Sequence, residues 1–167
     1  ADQFTKAALI LNSYPVEFAD ISLSDKIYIN EKAKNYAKAL SLQLAFKKDD
    51  HEKLYKLYIL TDSYAKALEH YQKIKPDDFF KLMLLAYKAN NLSQAYHYYS
   101  MLDQSVKDNA DQQLLSILYE VCLANIDYNN AIIHCQKIQP EDYFKIFNVY
   151  LKLKDNNKAY NYLASSF

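Results

Sequence analysis

The side chains here best able to ligate a metal, move a proton or attack a carbon are four histidines, three pairs of adjacent acids and two cysteines. Of the histidines His51, His70, His97 and His134, two occupy equivalent places in an internal repeat, His70 and His134. They stand two helix pairs apart. Since packed helices lie about 8–10 Å from one another, these two are on the order of 20 Å apart and cannot share a metal. They read as partly exposed helix residues. The acids Asp49-Asp50, Asp77-Asp78 and Glu141-Asp142 each precede a helical stretch, where capping and the positive helix N-terminus explain them without general acid-base work. Cys122 and Cys135 fall within apolar helical stripes and read as small core residues; an oxidising compartment would allow a disulfide between them. No zinc-ligand pairing and no nucleophile elbow occurs. The reading is of a noncatalytic chain, with no metal and no cofactor.

Composition narrows the choice further. The 167 residues are 51% apolar and 24% charged, twenty lysines balance twenty acids, and glycine, tryptophan and arginine are absent. Without glycine there is no phosphate-cradling loop or dinucleotide fingerprint, because those turns need residues lacking a Cβ near the ligand. A neutral chain without arginine is a poor match for nucleic acid, where basic surface supplies most of the affinity. The longest apolar runs, such as Leu82–Ala86, fall far short of the roughly 20 residues that cross a bilayer. Lys, Asn, Ile, Tyr and Phe have AT-rich codons, so a low-GC bacterial genome accounts for much of this bias.

The elements that must position these side chains come from a repeat. Tyr36-Ala37-Lys38-Ala39-Leu40 recurs as Tyr64-Ala65-Lys66-Ala67-Leu68, and residues 67–82 align without a gap on residues 131–146. The anchoring alanines are Ala39, Ala67, Ala95, Ala131 and Ala159, spaced 28, 28, 36 and 28. Each unit reads as two helices. Phe79, Leu82, Met83 and Ala86 follow the i, i+3, i+4, i+7 pattern of one face, and Leu92, Ala95, Tyr99 and Leu102 line the next. The breaks hold Asp62, Asn90-Asn91, Asn125 with Asp127, and Asp155-Asn156-Asn157, the residues best able to take left-handed angles when glycine is missing. A first helix on Phe4, Ala7, Ala8 and Leu11, capped by Asp2, ends before Pro15. Residues 15–30 read either as a helix capped by Ser22 and Asp25 or as extended chain. Residues 103–112 form the long connection behind the 36-residue spacing.

This all-α pattern resembles the tetratricopeptide-repeat (TPR) family, carried by Leu82, Ala86, Ala95, Tyr99 and Leu102 and their counterparts in the other units. The resemblance implies a right-handed solenoid of about four to five antiparallel helix pairs. The chain is then a single repeat domain over 1–167, divergent over 1–50 and clear over 50–167. Two features depart from the family: Tyr55, Met83, Tyr119 and Phe147 stand where a small residue is usual, and the period is 28 rather than 34. The family's concave surface, lined by the first helix of each pair, would draw on Phe80, Lys81, Leu84, Tyr87 and Lys88, and on Phe144, Lys145, Asn148, Leu151 and Lys152, with Ile117, Glu120 and Ala124 between. That lining suits a peptide with apolar side chains and some negative charge.

Ten tyrosines fall on repeat-core positions (Tyr36, Tyr55, Tyr58, Tyr64, Tyr71, Tyr99, Tyr119, Tyr128, Tyr143 and Tyr150), while Tyr87, Tyr96, Tyr98, Tyr160 and Tyr162 stand out as interface anchors. The function implied by the resemblance is a protein-protein interaction module, an adaptor or assembly scaffold in a multiprotein complex, with bacterial envelope, secretion or motility machinery as the setting. A chaperone-like binder of an extended client peptide is the alternative. The partner is a protein or peptide, without membrane insertion. Uneven charge, lysine-rich over 26–56 and acidic over 103–130, allows self-association. A chain beginning at Ala1 fits a processed form, so the expected compartment is bacterial periplasm or cytoplasm, the periplasm favoured.

Overall fold

The computed structural model describes residues 2–140 and 142–164, with Asp2 described by its backbone alone; the proposed Asp2 cap and Glu141 lie outside the described side chains. Among the described residues there are twelve helices and no strand. They run α1 (Asp2–Ser13), α2 (Leu23–Lys32), α3 (Tyr36–Phe46), α4 (His51–Leu60), α5 (Tyr64–Ile74), α6 (Phe79–Lys88), α7 (Leu92–Ser100), α8 (Gln104–Asp108), α9 (Gln112–Ala124), α10 (Tyr128–Ile138), α11 (Tyr143–Lys152) and α12 (Asn156–Ala164). Five helix pairs result: α2/α3, α4/α5, α6/α7, α9/α10 and α11/α12. The chain divides into two compact units, residues 1–77 and 78–167.

The turn inside every pair has one construction. Lys34, Asp62, Asn90, Ile126 and Lys154 all take positive φ, between 54° and 64°, and each lies five residues before its anchoring alanine. The next residue donates its N–H back to the carbonyl five positions earlier: Asn35 to Asn30, Ser63 to Tyr58, Asn91 to Ala86, Asp127 to Cys122 and Asp155 to Tyr150, at 2.8–3.1 Å. This left-handed cap satisfies the last carbonyls of the first helix. The same residue then opens the second helix, and the carboxamide of Asn91 and carboxylates of Asp127 and Asp155 accept N–H groups of that helix's first turn. Only Asp62 and Asn90 fit the expectation that Asn or Asp would take the left-handed angle. Ile126 and Lys154 hold it in the last two pairs, because the register of the cap fixes the position whatever side chain stands there.

The paired acids start first helices. The carboxylates of Asp50, Asp78 and Asp142 accept the N–H of Lys53, Lys81 and Lys145 at 3.2, 3.1 and 3.0 Å. Of the two readings for residues 15–30, the helical one is correct from Leu23 on: Ser22 accepts the Asp25 N–H at 3.1 Å and its hydroxyl donates to the Asp25 carboxylate. α1 ends at Ser13, two residues before Pro15. The long connection contains the short helix α8.

In the first unit the core is built on Ile27, Ala39 and Leu57, with Leu40 and Leu42 against it, while Leu54, Ala67 and Leu68 are buried across α4 and α5. The buried amide of Asn30 fixes α1, accepting from Asn12 at 3.0 Å and donating to the Lys26 carbonyl at 2.8 Å. Between α4 and α5 Tyr55 packs against Tyr71, ring centres 4.8 Å apart. In the second unit the core runs through Leu82, Met83, Ala86, Leu118, Cys122, Ala131, Ile146 and Val149. Met83 is wholly buried, so a large side chain replaces the close helix approach that a small residue would permit.

Candidate protein-binding face

Two bridges set the first helices of the second unit side by side. The Tyr87 hydroxyl on α6 donates to the Glu120 carboxylate on α9 at 2.6 Å, and the Lys145 ammonium on α11 lies 4.4 Å from the centre of the Tyr119 ring, also on α9. The second helices align in the same way. The Tyr96 hydroxyl donates to Asp127 at 3.0 Å, Tyr99 meets His134 at 3.0 Å, and Gln136 donates to the Tyr162 hydroxyl. The unit therefore has two layers, α6, α9 and α11 in one and α7, α10 and α12 in the other.

The predicted lining residues fall on the first of these layers. Phe80 and Lys81 open α6, Leu84, Tyr87 and Lys88 continue it, and Phe144, Lys145, Asn148, Leu151 and Lys152 repeat the positions on α11. Phe80 and Leu151 are a little over one third exposed and Phe144 is 68% exposed, so three large apolar groups face solvent. Leu84, Tyr87, Lys145 and Asn148 are half-buried, and Lys88 and Lys152 are exposed. Between them α9 offers half-buried Ile117 and exposed Glu120 and Ala124. Asn148 turns its amide back to the Phe144 carbonyl at 2.9 Å, which commits part of its hydrogen bonding to its own helix. Phe144 also heads an aromatic row, stacking on Phe147 at 6.4 Å, which meets Tyr160 of α12 at 6.3 Å.

Hydrogen bonding to Glu120, then burial, raises the Tyr87 hydroxyl above its ordinary pKa. The phenol therefore stays protonated and donating. Two open hollows lie elsewhere. One of about 650 Å³ is bounded by Ile138, Gln139, Pro140 and Asp142, whose carboxylate already caps α11. Another of about 340 Å³ lies in the first unit beside Ala8, Leu9 and Asn12. Neither coincides with the α6–α9–α11 face, which is a broad surface rather than a cavity.

Three sequence assignments change. Tyr98, expected as an interface anchor, is buried, because α7 turns both Tyr98 and Tyr99 inward. Among the ten expected core tyrosines only Tyr99 is fully buried; the rest are half-buried. His134, expected to be partly exposed, is 3% exposed and packed against Tyr99. Burial lowers its pKa to about 4, and its Nδ1 has no partner. Cys122 and Cys135 are free and buried, and burial pushes the Cys122 thiol up to about 12. The close approach of His51 and His70, described below, gave no signal in the sequence, since 19 residues separate them.

Among the described residues no three His, Cys, Asp or Glu side chains converge as metal ligands, and no helix is long and apolar enough to cross a membrane. No protein-family model matches the chain, and no curated protein is significantly similar to it.

Proposed function

We propose that this chain is a noncatalytic protein-binding module whose units are right-handed stacks of TPR-like helix pairs. It serves as an adaptor or assembly scaffold. The observation that carries this reading is the α6–α9–α11 layer, where Phe80, Phe144 and Leu151 remain exposed between lysines. Exposed aromatic and aliphatic groups beside lysines suit an extended segment that presents apolar side chains and carboxylates. Glu120 is the one acid on the lining, and its carboxylate is held by Tyr87.

The noncatalytic part of the reading is supported by what the candidate chemical groups already do. Asp50, Asp78 and Asp142 cap helices, and the Cys122 thiol is too weak an acid to form the reactive thiolate near neutral pH. Selecting random peptides on the immobilised full chain tests the proposal. Enrichment of sequences that combine aromatic or aliphatic residues with Asp or Glu supports it. Enrichment of basic or uniformly polar sequences, or none, contradicts it.

A further inference from the structure

We propose that His51 and His70 form a one-proton latch that closes the first turn of α4 onto α5 and releases when the pair takes up a second proton in mildly acidic solution. Their Nδ1 atoms are 2.9 Å apart and their ring centres 5.0 Å apart. With those two distances each nitrogen is aimed nearly at the other. That arrangement suits a shared hydrogen. A metal with bonds of about 2.0–2.1 Å needs both lone pairs to converge on a third point instead.

A hydrogen bond between two Nδ1 atoms requires one to carry hydrogen and the other to be bare. The neutral pair meets this condition. So does the singly protonated pair, where the donor is charged and the bond stronger. Two protons make both nitrogens donors, remove the bond and leave two cations in contact. The titration therefore belongs to the pair and not to either ring.

The surroundings oppose the second charge. His51 is the first residue of α4, at the positive end of that helix. Burial first, and then the facing His51, hold His70 below its ordinary pKa. From α5 itself Lys73 and Lys66 act in the same direction and Glu69 against it. From α4, the Tyr58 ring lies against His70 with centres 5.4 Å apart. Asp50, preceding α4, commits a carboxylate oxygen to the Lys53 N–H. On α3, the other helix packed on α4, the titratable groups are half-buried Tyr36 and exposed Lys38.

The α9/α10 pair keeps a histidine, His134, at the position of His70, but two other pairs show that the slot does not need one. A shift of 28 puts Phe79 and buried Tyr98 at these positions in α6/α7. In α11/α12 the counterparts are Tyr143 and Tyr162, with ring centres 6.3 Å apart. Rings that stay neutral across mild acid fill it there, so His51→Phe and His70→Tyr are substitutions the repeat itself accommodates.

Imidazole NMR titration of the full chain, with amide hydrogen exchange at each pH, tests the latch. In the parent protein the two rings should titrate in two separated steps. As pH falls from the ordinary histidine value toward the lower step, protection of amides in the α4–α5 pair should fall by up to about tenfold per pH unit, because there the open form holds one more proton. In His51→Phe the His70 step should move upward, though not fully, since burial remains, and the fall in protection should become shallower than in the parent in both variants. Rings that titrate independently, a His70 step unmoved by His51→Phe, or protection that falls equally in the variants would each overturn it.

Discussion

His134 is the histidine whose burial bears most directly on stability in mild acid. Its folded pKa of about 4 lies below the ordinary 6.5, so the unfolded chain takes up the proton first. Stability is therefore complete above about pH 6.5 and is lost as pH falls toward 4. A shift of that size corresponds to roughly 3 kcal/mol over the window. Urea denaturation at pH 7 and pH 4.5 should show this loss, and His134→Tyr, which places there the residue found at 98 and 162, should remove most of it. The repeat made it clear that His134 and His70 correspond. Their different surroundings were not legible, because each depends on a neighbour 35 or 19 residues away: Tyr99 for one, His51 for the other.

Helix starts and ends were largely legible, and the side chains that take the strain were not. Acids at Asp50, Asp78 and Asp142 recur with the repeat and cap as their type and position predict. Asp78→Ala should cost about 1 kcal/mol in denaturant titration. Asp127→Ala should cost more, because Asp127 also accepts from Tyr96 and from the Asn130 amide. Ile126 is the opposite case. A β-branched residue at φ 64° pays for the cap with strain that Asn90 and Asp62 largely avoid. Ile126→Asn should stabilise the protein by about 1 kcal/mol, and since Ile126 is 71% exposed, little packing is lost with it. The expectation that Asn and Asp would fill these angles failed at 126 and 154 because backbone register, set by the 28-residue repeat and the bond five residues back, overrides local preference.

At the scale of the whole molecule, the repeat pointed to about four to five helix pairs, and five are found among the described residues in the order the alanine spacing sets. What it could not foretell was which aromatic groups would be drawn inward: Tyr98 is lost to the core, Tyr87 and Tyr96 are tied across neighbouring helices, and Phe80 and Phe144 stay in solvent. Those two, with Tyr87 between, define the central claim that the α6–α9–α11 layer binds an extended acidic-apolar peptide. The direct measurement is calorimetric affinity of a selected peptide for the parent chain, for the Phe80→Ala/Tyr87→Ala/Phe144→Ala variant, and for Ile133→Ala, an exposed control on α10. Loss of about 1.4 kcal/mol or more, a tenfold weakening, in the triple variant, with the control unchanged, is the predicted result. Equal affinity in all three proteins, with the triple variant still folded, would contradict it.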